Sequence, residues 1–170
     1  MAESRQVRRS SVALASASAD ETRALAAHLA VAAAPGDVIA LRGDLGAGKT
    51  QFAKGFALGL GVTAVVNSPS FTLMAEYAGR LPLFHLDLYR LAGAADAVAG
   101  GLLDERQQAG VTLIEWAERL GGPVGGADLD VRFRGAGDDV RQLTLAARSP
   151  RGERYVAIAH AWVPATQGAA

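Results

Sequence analysis

Three observations in the sequence predict an α/β fold with a mainly parallel central sheet flanked by helices. The apolar run Val38-Ile39-Ala40-Leu41, set after the turn signal Pro35-Gly36-Asp37, reads as a strand buried on both faces. Residues Gly43-Asp44-Leu45-Gly46-Ala47-Gly48-Lys49-Thr50 complete the pattern G-x-x-x-x-G-K-[ST]. Phe52, Ala53, Phe56, Ala57 and Leu60 then recur at helical spacing, with Gly59 and Gly61 marking the end. Strand, glycine-rich loop and helix form the phosphate-loop unit. A single-domain P-loop NTPase is therefore expected over residues 11–162, between a flexible basic tail (1–10) and a flexible C-terminal tail (163–170).

The remaining elements follow in chain order. Ser11 to Ala17 suits a first strand. Ser18-Ala19-Asp20-Glu21 matches a capping box and opens a helix to about Ala34, with Leu25, Leu29 and Ala32 on one face. Phe71 to Ala78 and Leu81 to Leu88 read as strands around a Gly79-Arg80 turn. Ala94 to Gln108 suggests a helix broken at Gly100-Gly101, and Val111 to Glu115 another buried strand. A short helix, Ala117 to Leu120, leads into the flexible run Gly121 to Gly126. Leu129 to Phe133, Gln142 to Ala147 and Arg154 to Ala159 read as short strands of a C-terminal antiparallel extension of the sheet.

Composition narrows the class. A chain of 170 residues, half of them hydrophobic, can bury one substantial core and is not broadly disordered. Formal net charge is zero, which argues against a strongly electrostatic nucleic-acid or membrane binder. The chain has no cysteine, so disulfides, thiol catalysis and zinc–thiolate sites are excluded. No apolar run approaches a membrane span, and no apolar segment follows Arg5, Arg8 and Arg9 as a secretory signal requires. The expectation is a soluble, cytoplasmic protein.

The loop names a ligand. Backbone N–H groups of such a turn, together with the N-terminus of the following helix, point at phosphate oxygens. Lys49 supplies a charge for the β- and γ-phosphates and the Thr50 hydroxyl is placed for Mg2+. Only Lys49 and Lys54 occur beside fifteen arginines, so a lysine at this position is selective. A phosphate loop holds a nucleotide without hydrolysing it; hydrolysis also needs acids at strand ends. Asp87 ends Leu83-Phe84-His85-Leu86, and Glu115 ends Val111-Thr112-Leu113-Ile114. In an open α/β sheet the ligand lies beyond those carboxyl ends. His85 shares a strand face with Asp87 and reads as packed or as supporting the site rather than catalytic. An ordinary ion pair suits Arg90 better than an arginine finger. Asn67-Ser68-Pro69-Ser70-Phe71-Thr72 is the one hydroxyl-rich loop able to sense a γ-phosphate, extended by Pro69 at Ser68.

Four segments occur in order: the phosphate loop, Ser68-Pro69-Ser70-Phe71-Thr72-Leu73, His85-Leu86-Asp87-Leu88-Tyr89-Arg90-Leu91 and Leu113-Ile114-Glu115-Trp116. The series resembles the bacterial TsaE (YjeE) family, small ATPases of tRNA threonylcarbamoyladenosine biosynthesis, from about Ser18 to Arg141. The resemblance implies a compact P-loop fold binding ATP and Mg2+ and hydrolysing ATP weakly alone. It also implies support for TsaD and TsaB, which form threonylcarbamoyladenosine at position 37 of tRNAs reading ANN codons, so that tRNA is met through that complex. By motif, Gly43, Asp44, Gly46, Ala47, Gly48, Lys49, Thr50 and Gln51 would hold the nucleotide. Thr50 and Glu115 would hold the metal, Asp87 would align water or the metal shell, and Ser68 and Ser70 would form the switch. Ser18, Thr22 and Arg141 would lie near the nucleotide. The family's switch usually reads Ser-Pro-Thr where this chain has Ser70. Gln51 stands at a frequent threonine and Ala117 at a usual proline. Two other readings of the residues stay open: a small-molecule kinase on the same fold, and a nucleotide-gated binding module with incidental hydrolysis.

Overall fold

The structure, a computed structural model, describes residues 9–91, 105–120, 127–135 and 140–164. Seven strands form one sheet: β1 (Ser11–Ser16), β2 (Val38–Arg42), β3 (Met74–Tyr77), β4 (Leu83–Asp87), β5 (Val111–Glu115), β6 (Leu129–Arg134) and β7 (Arg141–Ala147). Their order across the sheet is β1-β7-β6-β2-β5-β4-β3. The centre, β6-β2-β5-β4, is parallel throughout, as the continuous apolar runs predict. β3 is antiparallel to β4 at one edge, and β7 runs antiparallel between β6 and β1 at the other. The expected C-terminal extension is thus antiparallel in β7 alone, while β6 belongs to the parallel core.

Among the described residues three α-helices accompany the sheet: α1 (Ala19–Leu29), α2 (Lys49–Gly59) and α3 (Pro150–Ala161). Ser18 caps α1, its hydroxyl accepting from Glu21 N at 3.1 Å. The Glu21 carboxylate answers on Ala17 N, one residue before its usual capping-box partner. α1 ends at Leu29 rather than near Ala34, because a 3-10 turn over Ala30–Ala32 tightens the chain before Pro35. α2 packs on α1 through Gly55: a Cβ there would lie 2.2 Å from the Arg23 carbonyl oxygen, so only glycine permits the approach.

The main core lies on the sheet face that carries Ile39, Leu41, Leu83, Leu113, Val131 and Phe133, against Leu25, Leu29, Phe52 and Phe56. A chain of rings runs through it. Phe133 meets Phe52 edge-on at 5.8 Å, Phe52 stacks on Phe56, and Phe56 reaches Tyr155 of α3. A smaller cluster of Ala40, Phe84, Leu86, Leu88 and Ile114 covers the other face, closed by Ala117 and Leu120. Burying each such leucine or phenylalanine contributes about 1.5–3 kcal/mol, so these rows hold the strand register.

The structure corrects two further expectations. Arg154–Ala159 is helix, within α3, and not a strand. The turn Ser149-Pro150 is a helix start, with Ser149 as cap and Pro150 at the first helical position. The buried set Gly152, Tyr155, Val156 and Ala159 falls at helical spacing and outweighs the local β-branched character. The strand expected over Phe71–Ala78 begins only at Met74, since Leu73 turns with φ 66° and its N–H bonds back to Pro69 O. Of the expected broken helix, Glu105–Gln108 lies in a 3-10 segment and Ala94–Asp104 falls outside the described residues. Residues 1–8 of the expected tail 1–10, residues 165–170 of the expected tail 163–170, and the run Gly121–Gly126 also fall outside them. No helix among the described residues is long and apolar enough to cross a membrane.

Asp37 fastens α3 to the start of β2. Fully buried, its carboxylate accepts from the Tyr155 hydroxyl at 2.6 Å, Arg154 at 2.7 Å, Arg151 at 3.0 Å and Ala34 N at 3.0 Å. Burial first, then the hydrogen bond to Asp37, pushes the Tyr155 phenol well above its ordinary 10.0. The folded chain therefore keeps the phenol neutral where the unfolded chain would ionise it, and stability falls as pH rises past about 10. Tyr155→Phe should cost about 1–2 kcal/mol at neutral pH by losing the hydrogen bond. It should also remove that share of the alkaline fall; urea melts of both proteins between about pH 8 and pH 11 check both parts.

Candidate active site

The loop between β2 and α2 takes its shape from glycine. Gly43, Gly46 and Gly48 hold φ values of 152°, 77° and 108°, where a side chain is strained. Gly43 also passes so close to β6 that a Cβ would meet Phe133 O at 2.9 Å. Ala47 N donates to Asp44 O, and Phe52 N donates to Gly48 O as α2 begins. Arg141, at the start of β7, clamps the loop from outside by donating to the Ala47 and Gly46 carbonyls, each at 3.2 Å. The helix then presents its N-terminal N–H groups and positive dipole end at the loop, an anion site by construction.

Lys49, the first residue of α2, is 4% exposed and folds back onto the loop. Its Nζ donates to Gly43 O at 2.5 Å and Asp44 O at 2.9 Å and lies 4.0 Å from the centre of the Trp116 ring. Burial lowers its pKa from the ordinary lysine value, opposed by the nearby charges of Glu115, Glu118, Asp87 and Asp44. Thr50 points at β5, where its hydroxyl stands 3.2 Å from both Glu115 carboxylate oxygens. Glu115, 2% exposed, also meets His85 Nε2 at 2.7 Å through Oε1. Asp87 ends β4 directly beside Glu115 in the parallel register. The Ser68 hydroxyl donates to one Asp87 oxygen, and Tyr89 N donates to the other at 3.0 Å.

A cavity of about 480 Å³ opens among these groups. The loop from Gly46 to Gln51, Ser68, Ser70, Asp87 and Glu115 line it. The structure thus brings the expected loop, switch and acid residues to one place. Gly43, Asp44 and Arg141 buttress the loop from behind. Ser18 and Thr22 stand apart: Ser18 is spent on the α1 cap, and Thr22 is buried against the Ser16 hydroxyl at 2.7 Å. Their neighbour Arg23 reaches the loop helix, donating to the Gln51 side-chain oxygen. Arg90 stacks over Phe71 at 4.3 Å instead of reaching Asp87.

Sequence reasoning passed over Trp116 and Tyr89, which also line the cavity and whose rings lie 4.9 Å apart. Trp116 holds φ 58°, a left-handed conformation rare for a bulky residue and costing about 1–3 kcal/mol. Its carbonyl accepts from Arg119 N, and the Glu115 carbonyl accepts from Leu88 N, so the turn is held from both sides. An aromatic directly after a strand-end acid was the available signal.

A parallel strand, a glycine loop with an inward lysine, a helix and two strand-end carboxylates define a P-loop NTPase fold. A model of the family described as "Threonylcarbamoyl adenosine biosynthesis protein TsaE" matches residues 16–143. The "tRNA threonylcarbamoyladenosine biosynthesis protein TsaE" of Bacillus subtilis (strain 168) is 46% identical over 137 residues, 80% of this chain and 84% of that protein. The protein of the same description from Treponema pallidum (strain Nichols) is 43% identical over 65% of this chain and 82% of its own. The crystal structure of YdiB from "Bacillus subtilus" superposes with a TM-score of 0.71 at 39% identity, over 90% of this chain and 96% of that one. This chain belongs to the TsaE family.

The Lys49–Trp116 contact can be read in the ligand-free protein. In a Trp162→Phe background Trp116 is the sole tryptophan, and Lys49→Met should shift its emission. An unchanged spectrum would place Lys49 elsewhere than over the ring.

Proposed function

We propose that this chain is the Mg2+-dependent ATP-binding and ATP-hydrolysing member of the threonylcarbamoyladenosine machinery, acting with TsaD and TsaB and meeting tRNA through them. One observation carries the reading: Thr50 and Glu115 stand 3.2 Å apart at the mouth of a phosphate loop, with Asp87 on the adjacent strand. A hydroxyl and a carboxylate are hard oxygen donors, which suits Mg2+, an ion bound by one or two carboxylates plus phosphate and water. Among the described residues no group of three His, Cys, Asp or Glu converges, so an all-protein metal cage is not the alternative. Mg2+ there would neutralise charge developing on the β- and γ-phosphates.

The chain's own groups divide the remaining work. N–H groups of the loop from Gly46 to Thr50 bind phosphate oxygens, and Gln51 borders the α-phosphate side. Lys49 leaves the Gly43 and Asp44 carbonyls for the β- and γ-phosphates, exchanging two neutral acceptors for charged ones. Arg141 keeps the loop in shape. Asp87 orients the attacking water, and Ser68 holds Asp87 in its resting position, so movement of the Ser68–Ser70 segment toward a γ-phosphate would release it. Ser18 and Thr22 act on Gln51 through α1 and Arg23 and have no direct place at the nucleotide in this reading.

ATP turnover by the purified chain, alone and with TsaD, TsaB and tRNA, tests the proposal. Slow hydrolysis that rises with the complex is expected. Lys49→Ala should abolish binding or turnover. Asp87→Asn and Glu115→Gln should each lower turnover by roughly 10²–10³-fold, the scale of losing one aligned catalytic group. Binding of ATP with no response to the partners would refute the proposed role in the complex and favour a module whose occupancy, not hydrolysis, is read.

A further inference from the structure

β4 and β5 run parallel in register, so His85 pairs with Leu113 and Asp87 with Glu115. Alternation puts Leu83, His85 and Asp87 on one face, with Val111, Leu113 and Glu115 beside them. On that face Leu83, Val111 and Leu113 are fully buried in the main core, and so is His85. An imidazole in an aliphatic row carries a desolvation cost that only hydrogen bonds offset. His85 has one such bond, from Nε2 to Glu115 Oε1 at 2.7 Å, and its buried Nδ1 has no partner among the described residues. A carboxylate only accepts, so Nε2 is the nitrogen that donates to Glu115. Packing alone favours leucine at this position; the single bond to Glu115 is what histidine adds.

Glu115 is itself nearly enclosed, and its contacts at the cavity are the Thr50 hydroxyl on both oxygens and His85 on Oε1. We propose that His85 is a positioning residue for Glu115: its Nε2–H pins Oε1 from beneath and leaves the carboxylate aimed at Thr50 and the cavity. This rests on the reading of Thr50 and Glu115 as the metal end of the site. A hydrogen-bond donor behind a ligating carboxylate typically governs 10–100-fold in metal affinity or activity. His85 is fully buried and does not line the cavity, so its effect should fall on the metal and spare the nucleotide.

The test is ATP affinity by calorimetry with and without Mg2+, for the wild type, His85→Leu, His85→Gln and His85→Asn. Leucine keeps the volume and removes the donor, glutamine carries an amide N–H to about the Nε2 position, and asparagine falls short of it. His85→Leu should need roughly 10–100-fold more Mg2+ for half its effect on ATP affinity, at Mg2+-free affinity within about twofold of wild type. His85→Gln should recover most of the loss, and His85→Asn should not. Should His85→Leu fail to fold, the Gln and Asn pair decides alone. Equal Mg2+ responses in all four proteins, or equal loss with and without Mg2+, would overturn the positioning role while leaving the ATPase reading intact. A wild type whose ATP affinity ignored Mg2+ would overturn the metal reading and this inference together.

Discussion

The parallel register of β2, β5 and β4 is the constraint on which the site depends. Leu41 pairs with Glu115 and Glu115 with Asp87, so three strands end level where the phosphate loop begins. Side chains alternate with a period of two, and a slip of one residue would send both carboxylates to the opposite face. Apolar rows on both faces forbid that slip: Ile39, Leu113 and Leu83 on one, Ala40, Ile114 and Phe84 on the other. The chemistry is therefore placed by the same residues that close the core.

Concentrating charge at the end of such a sheet is unfavourable in itself. Lys49, Asp87 and Glu115 are each less than 5% exposed, and His85 is fully enclosed. Their mutual contacts offset part of this cost, yet Lys49 still feels burial more than its four carboxylate neighbours. Trp116 adds a left-handed backbone at the same spot. The compensating stability lies in the core that α2 packs on, in the ring series from Phe133 to Tyr155 and in the buried Asp37. Loop and strand-end acids can remain strained because helices behind them are firmly packed.

Much of this was legible before any coordinates. The phosphate loop, its flanking strand and helix, and the two acids were readable because each is a local pattern with one physical explanation. The α1 start was readable from Ser18 and Glu21. What failed to show was decided by tertiary context. Arg154-Tyr155-Val156-Ala157-Ile158-Ala159 has a β-like composition, and only the buried stripe through Gly152 and Tyr155, tied to the distant Asp37, makes it helix. The antiparallel insertion of β7 between β1 and β6 depends on pairing that no local pattern announces. Ser18 and Thr22 were placed near the nucleotide by the resemblance alone, and their cap and burial are contacts that only the folded chain reveals. His85 was readable as a neighbour of Asp87 but not as a partner of Glu115, since that contact crosses strands.

The position of β1 bears on how the protein is made. This first strand sits at the sheet edge and pairs with β7, Ser11 opposite Ala146 and Ser16 opposite Arg141. On the ribosome it emerges well before its partner strand exists. Asp37, just ahead of the phosphate-loop strand, likewise meets Tyr155 only after α3 has been made. Contacts spanning so much sequence slow folding and lengthen the time that strand edges stay unpaired. The nascent chain completes its edge and fastens its loop strand only once β7 and α3 have both emerged.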